Sequence, residues 1–376
     1  MSNNDPPQRS TENTTHSLAI LDDYAQIAEK HFSSIPNLRI TSFPSTLAPS
    51  DHSSLISRLQ PYTIISTMRE RTPLPAPVLS SLPNLRLLLT TSTRNASIHL
   101  PTCQSRSIPV TGTRGFSIAF DAHDRPVPTS SPDAVRRIDP LPSGSTTQHT
   151  LSLLLALTSR VTIDDHALKS DPDAWQSGLT MPLAGKTLGV VGLGKLGGAM
   201  ARACALALGM KVVAWSASLD ARKVREMEKS LGLEEGSIRA VSKEELFSTA
   251  DVVSVHYVLS DRSRGVVGRE DIGRMKKGAV LVNSARGPLV DEDALYEALV
   301  EGRIRGAALD VYWSQEPLEE GSRWRTTKWG MHGKVRVVLS PHMGYVNEDT
   351  METWYAEQAD NVRRFIEGRE LGFQLT

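Results

Sequence analysis

An arginine, a glutamate and a histidine come in that order along the second half of the chain, each beside a proline or glycine. They are Arg286 in Asn283-Ser284-Ala285-Arg286-Gly287-Pro288, Glu316 in Glu316-Pro317, and His342 in Pro341-His342-Met343-Gly344. A guanidinium can grip a carboxylate through two parallel hydrogen bonds. An imidazole can move a proton near neutral pH, and a carboxylate beside it can orient the ring and hold its charge. Upstream lies Gly192-Leu193-Gly194-Lys195-Leu196-Gly197, and a glycine loop between a strand and a helix can seat a dinucleotide. These four parts suffice for hydride transfer to or from a small 2-oxo or 2-hydroxy acid.

Each part also has a plainer reading. A Gly-x-Gly-x-x-Gly pattern alone is a weak signal. Here an apolar run, Thr187 to Val191, precedes it and an Ala-rich helical stretch follows. Gly192 then allows the tight turn, Gly194 lets the backbone approach a pyrophosphate, and Gly197 lets helix pack on strand. Lys195, Leu196 and Gly197 open the helix, whose N-terminal amides and dipole favour phosphate. Arg286 could be a surface residue, and a lone His is more often structural. Both, however, follow buried strands at their carboxyl ends, where ligands bind in such sheets, and Gly344 permits a ligand to come close to His342. Glu316 is the weakest of the three, since exposed Glu is common. His149 on a long helix and His256 on an apolar strand compete with His342; for His256 a satisfied core role is the better reading. No cluster has metal-ligand spacing, and there is no Gly-x-Ser-x-Gly elbow.

The cofactor's ribose is read at the end of the next strand, where an acid selects NAD. This chain has Trp215-Ser216-Ala217-Ser218 there and no carboxylate until Asp220. Ser216 and Ser218 could donate to a 2′-phosphate, and Arg222 or Lys223 could neutralise it. The pattern tilts an NAD(P) site slightly to NADP. The alternative is that these cations are the solvated face of the following helix.

The elements that position these residues read as α/β. The chain has 376 residues, about right for two domains. Lys+Arg and Asp+Glu both total 42, which gives no wholesale attraction to nucleic acid or an anionic membrane. No apolar run approaches the roughly 20 residues of a membrane span. The two cysteines, Cys103 and Cys204, form no disulfide framework, and the cytoplasm is the expected compartment. Residues 1–15 read as a disordered tail. Leu18 to Leu21, Tyr62 to Thr67 and Leu85 to Thr91 read as buried strands of a first domain, with a short helix at Pro77 to Leu82. Phe116 to Gly144, with five prolines, breaks the rhythm and reads as a loop-like insertion; a gene-model artefact is the other reading. Thr147 to Ser159 is a long apolar helix. Strands follow at Lys186 to Val191, Lys211 to Trp215, Asp251 to His256, Ala279 to Asn283, Gly306 to Leu309 and Val335 to Leu339. Thr350 to Glu367 is a final amphipathic helix that crosses back to the first domain. The expected division is 16–113 plus 347–376 for a substrate domain, 114–144 for the insertion and 145–346 for a dinucleotide domain.

Taken together, Gly192 to Gly197, the run Leu281 to Asp291, Leu309-Asp310-Val311, Glu316-Pro317 and Ser340 to Gly344 resemble the D-isomer-specific 2-hydroxyacid dehydrogenase family. Its members include glyoxylate/hydroxypyruvate reductase, phosphoglycerate dehydrogenase and formate dehydrogenase relatives. The resemblance implies two flavodoxin- and Rossmann-like doubly wound parallel-sheet domains around a cleft, and a homodimer. It implies catalytic roles for Arg286, Glu316 and His342, and places Asp310 near the nicotinamide carboxamide. Met68 to Pro73 and Arg94 to Ile98 resemble one branch of the family. Where most members offer glycine amides to the substrate carboxylate, Ser92 and Arg94 stand in place of those glycines, and Arg69, Thr93 and Arg94 join Arg286 as substrate-binding candidates. Three further departures are the extra residue before Glu316, Gln148 where Glu is common, and the insertion. A catalytically weak, dinucleotide-sensing binding protein resembling the co-repressors is the alternative function.

Overall fold

The last helix, Glu348–Ile366, belongs with the first hundred residues rather than with the segment before it. The chain divides into one unit of Met1–Arg136 with Glu348–Thr376 and a second of Arg137–Asn347. The computed structural model describes residues 16–114, 144–313, 317–330 and 335–376, together with the backbone of Ile118–Phe120 and Pro126–Pro128.

In the first unit, strands β1 (His16–Leu21), β2 (Leu38–Phe43), β3 (Ile64–Thr67), β4 (Leu87–Thr90) and β5 (Val110–Thr111) form a parallel sheet. Their order is β2-β1-β3-β4-β5, the flavodoxin-like winding. β3 and β4 are buried along their whole length, as parallel strands covered on both faces are. The helix His52–Leu59 starts where the Asp51 carboxylate accepts the Ser54 amide at 3.0 Å, and it buries Leu55 and Leu59. Glu348–Ile366 buries Met351, Trp354 and Tyr355, and the Ser66 hydroxyl of β3 donates to Gln358 Oε1 at 2.6 Å.

The stretch read as a structureless insertion contains a short antiparallel pair, β6 (Ile118–Phe120) and β7 (Pro126–Pro128). Proline cannot donate to a ladder and is confined to edge strands, and the density of prolines hid the pair in the sequence. The remainder of that stretch and residues 1–15 lie outside the described residues.

The second unit carries β8 (Thr187–Val191), β9 (Lys211–Trp215), β10 (Ile238–Ala240), β11 (Val252–Val255), β12 (Val280–Asn283), β13 (Gly306–Leu309) and β14 (Arg336–Leu339). All pair in parallel in the order β10-β9-β8-β11-β12-β13-β14. The direction of winding reverses between β8 and β11, and ligands of such sheets bind beyond the carboxyl ends at that reversal. The apolar helix runs from Gly144 to Ser159, three residues earlier than the apolar run that marks it in sequence. Its buried residues include Thr147, Thr150, Leu154 and Leu157, a stripe at helical spacing. It packs on β12, β13 and β14.

Candidate functional site

The turn after β8 has the geometry its glycines require. Gly192 takes φ +100, and a Cβ there would lie 2.9 Å from the backbone of His256 and Tyr257. A Cβ on Gly197 would lie 2.1 Å from the Gly192 carbonyl oxygen. Both positions therefore exclude side chains. Above Gly194, by contrast, nothing lies within 4 Å, so a ligand can reach the backbone. The helix Lys195–Leu208 starts at Gly194 with no side-chain cap, which leaves first-turn amides, those of Lys195 and Leu196 among them, without intrahelical acceptors. This cradle fits a pyrophosphate.

The turn after β9 is tied to it. The Trp215 carbonyl accepts the Gly192 amide at 2.8 Å, and the Ser216 hydroxyl accepts the Leu193 amide at 3.0 Å. Tyr257, beyond β11, stacks on Trp215 with ring centres 6.0 Å apart, and its hydroxyl accepts the Ala217 amide at 3.0 Å. A groove of about 360 Å³ lies beside this turn, lined by Leu193, Ser216, Ser218, Lys223 and Glu226 among others. Arg222 is bound to Glu226 at 3.1 Å, one helical turn on. Asp220 is occupied as the cap of the helix Ala221–Leu231, accepting the Lys223 amide at 2.8 Å. Of the two cations considered from sequence, Lys223 is the one that lines the groove.

β12, β13 and β14 end together. Their register sets Asn283 beside Leu309 and Leu309 beside Leu339, about 4.8 Å apart from strand to strand. Arg286 follows β12 by three residues, Asp310 follows β13 directly, and His342 follows β14 by three. The arginine and histidine loops thus leave the same sheet edge on either side of Asp310. Asn283 shapes the first loop: its Oδ1 accepts the Ala285 amide at 3.1 Å and its Nδ2 donates to the Arg286 carbonyl at 3.0 Å. Gly287 is required next, since a Cβ there would lie 2.1 Å from the Tyr312 carbonyl oxygen. Arg286 itself is half-buried, and its Nη1 donates to the Ala285 carbonyl at 2.8 Å.

His342 sits at φ +58, in the left-handed region, a conformation that costs a non-glycine residue on the order of 1–3 kcal/mol. Asp310 offsets that cost. It is fully buried, its Oδ1 accepts the Met343 amide at 2.8 Å, and its Oδ2 accepts the Gly344 amide at 2.9 Å. The Ser145 and Thr146 hydroxyls donate to the Gly344 carbonyl at 2.8 and 2.9 Å. His149 Nε2 lies 2.9 Å from Asp310 Oδ1 and 3.0 Å from Ser340 Oγ. Burial alone would raise the Asp310 carboxyl, but hydrogen bonds from His149 and Ser340 hold it below the ordinary aspartate range. Asp310 therefore stays a carboxylate, as two accepted amides require.

His149, considered only as a competitor for the proton role, is built into the loop that carries His342. No local pattern marks it, because its partners lie 161 and 191 residues away. Burial pushes the His256 imidazole down to about 4, and its Nε2 is 2.8 Å from the Ser254 hydroxyl; it is neutral at neutral pH and hydrogen-bonded. Both cysteines are free and buried, with their thiols raised to about 11 and 12. Glu316 lies outside the described residues.

The other substrate candidates are on the first unit. Arg69 is at φ +53; its amide donates to the Thr91 hydroxyl at 2.9 Å and its carbonyl accepts from Asn95 Nδ2 at 2.6 Å. Ser92, where a glycine is common, takes φ +80 and so retains the glycine-like turn. Its amide donates to the Thr113 hydroxyl at 2.7 Å. Thr93 and Arg94 project from that turn as exposed residues. Among the described residues there is no group of His, Cys, Asp or Glu able to hold a metal ion, and no helix is long and apolar enough to cross a membrane.

A parallel sheet whose winding reverses, with a glycine cradle at the reversal, is the architecture of a dinucleotide-binding domain. Comparison with known proteins agrees. The NAD binding domain of the D-isomer specific 2-hydroxyacid dehydrogenases matches residues 151–344. A hydroxypyruvate reductase of Blautia hydrogenotrophica is 28% identical over 325 residues, covering 85% of this chain and 86% of that protein. A glyoxylate reductase of Korarchaeum cryptofilum is 30% identical over 300 residues, 79% of this chain and 77% of that protein. Among solved structures, a phosphoglycerate oxidoreductase from Vibrio cholerae superposes with a TM-score of 0.76 at 28% identity, covering 94% of this chain and 99% of that one. The chain belongs to the D-isomer specific 2-hydroxyacid dehydrogenase family. It is an NAD(P)-dependent oxidoreductase that interconverts small 2-oxo and D-2-hydroxy acids, and a purely dinucleotide-sensing role is not favoured.

Proposed function

We propose that this enzyme reduces a small 2-oxo acid of the glyoxylate or hydroxypyruvate type, with Arg286 as the carboxylate grip and His342 as the proton donor. The observation that carries this reading is the shared edge of β12, β13 and β14, from which both loops depart around a buried Asp310. The bound dinucleotide supplies the hydride. Arg286 fixes the carboxylate and carbonyl oxygen, which orients the reacting carbon. Protonated His342, with Glu316 holding its charge, donates to the developing alkoxide. In the reverse direction neutral His342 takes the hydroxyl proton. Arg69, Thr93 and Arg94 of the first unit serve the substrate side, and Gly192 to Gly197, Ser216, Asp310 and Gly344 the cofactor side.

The cofactor reading is a slight preference for NADPH. What supports it is the absence of an acid from Ser216 to Leu219 at the end of β9, Asp220 being spent as the helix cap, with Ser218 and Lys223 lining the groove beside Ser216, together with Glu226. Steady-state reduction of glyoxylate and hydroxypyruvate with each cofactor tests substrate and cofactor together. The expected result is turnover with both acids and a higher kcat/KM for NADPH. Ser216→Asp should reverse that ratio. The new carboxylate can still accept the Leu193 amide, yet it repels a 2′-phosphate and accepts from a free ribose hydroxyl. An unchanged ratio in Ser216→Asp would show that the turn does not read the cofactor.

The homodimer reading rests on the second unit. Val161 and Leu168 on the helix Val161–Ser170, and Trp175 and Leu179 in the stretch after it, are exposed, Trp175 by 76% and Leu179 by 90%, and large exposed apolar side chains within one stretch are candidates for an association surface. Sedimentation should give twice the chain mass, and charged replacements at Trp175 and Leu179 should shift it toward the monomer. Two unbridged, buried cysteines support a reducing, cytoplasmic compartment.

A further inference from the structure

We propose that His149 is a positioning residue for His342. This rests on the reading of His342 as proton donor, and it assigns the task of holding that donor to a side chain on a different element. The loop from Ser340 to Gly344 is held on both sides of His342. On the far side, the Met343 and Gly344 amides donate to the two oxygens of Asp310. On the near side is Ser340, whose hydroxyl lies 3.0 Å from His149 Nε2. The same Nε2 is 2.9 Å from Asp310 Oδ1. One imidazole therefore joins the two ends of a five-residue loop whose middle residue is in a left-handed conformation.

The consequence follows from what each partner would lose. Without His149, Asp310 still holds residues 343 and 344, and Ser145 and Thr146 still hold the Gly344 carbonyl. Ser340 keeps its backbone bonds to Leu309 and Tyr312. What is lost is the one side chain that bonds both the Asp310 carboxylate and the Ser340 hydroxyl from the helix Gly144–Ser159. With the shared imidazole contact gone, the Asp310 carboxylate and the Ser340 hydroxyl can reorient within their remaining bonds, and His342 can relax toward ordinary backbone angles. A donor displaced by about 1 Å loses turnover steeply, while the cofactor cradle around Gly192 is untouched. Nε2 is occupied by Asp310 and Ser340, so His149 acts through His342.

The test compares His149→Ala with His149→Gln. Glutamine places an amide N–H close to where Nε2 lies and can donate to Asp310. For His149→Ala the expected result is a kcat about tenfold to a hundredfold lower, with KM and the calorimetric Kd for NADPH within about threefold. Hydrogen exchange at the Met343 and Gly344 amides should quicken in the same variant. His149→Gln should restore most of the turnover and the slow exchange. Unchanged kcat or unchanged exchange in His149→Ala would overturn the proposal. So would a Kd for NADPH that rises in step with the loss of kcat, since the change would then act on the cofactor side, where Asp310 and Gly344 are placed, and not through His342. The exchange readout needs no turnover. A fully active His342→Ala would defeat the proton-donor reading, whereas normal exchange in His149→Ala defeats only this one.

Discussion

Replacing His342 by alanine is expected to lower kcat about 10²–10⁴-fold while the Kd for NADPH stays within about threefold. That range corresponds to about 3–5 kcal/mol of lost transition-state stabilisation. It is large because the proton has no other nearby source among the histidines described. His149 is committed to Asp310 and Ser340, and His256 is neutral and bonded to Ser254. The cofactor should be little affected, because its cradle is made of backbone at Gly192 to Gly197 and is fixed by Gly192, Gly197 and Ser216. Single-turnover reduction with a pre-bound cofactor, beside a binding titration, separates the two effects. A variant within about threefold of wild-type turnover at saturating substrate would remove His342 from the proton role.

The parts of this site that could be read from sequence share a physical character. A buried parallel strand is a short run of apolar residues, so β8, β9, β12 and β13 appear within a residue of where their apolar runs begin. Residues that follow such a strand are placed by it, which is why Arg286, Asp310 and His342 can be assigned to one sheet edge. β2 and β10 are different. They lie at sheet edges, where no residue of β2 is fully buried and two of the three in β10 are exposed, and Leu38–Phe43 or Ile238–Ala240 has no apolar run to show. The Asp310 clamp was invisible for another reason. Its donors at 343, 344 and 149 are brought to it only by the pairing of β13 with β14 and by a helix packed across them. The pairing of Arg222 with Glu226 is the opposite case. Its spacing of four on a helix is a known contact distance, so the sequence itself pairs Arg222 with Glu226 and leaves Lys223 as the better candidate for the groove. The left-handed turn at Ser92 shows that a glycine position can be retained in shape after the glycine is gone, so departure from a family's glycine pattern need not mean departure from its backbone.

Arg286→Lys should be nearly as damaging as the histidine change, although the charge is kept. A guanidinium presents a planar fork that can meet a carboxylate with two hydrogen bonds and a carbonyl oxygen with a third contact. An ammonium is a compact point charge on a flexible stem and reproduces neither the plane nor the pairing. The protein also holds this guanidinium in place: Nη1 donates to the Ala285 carbonyl at 2.8 Å, and Asn283 fixes the backbone on either side of that bond. A lysine would lose the Ala285 anchor along with the fork. Both kcat and kcat/KM should therefore fall, by about 10²-fold or more if misorientation of the substrate dominates. Discrimination between a 2-oxo acid and the corresponding aldehyde should fall with them, because the carboxylate is what the fork selects. The Kd for NADPH should not change. If Arg286→Lys turns over glyoxylate normally, Arg286 is not the carboxylate grip. The role then passes to the first unit, where Arg94 on the Ser92 turn and Arg69 beside Asn95 become the residues to replace.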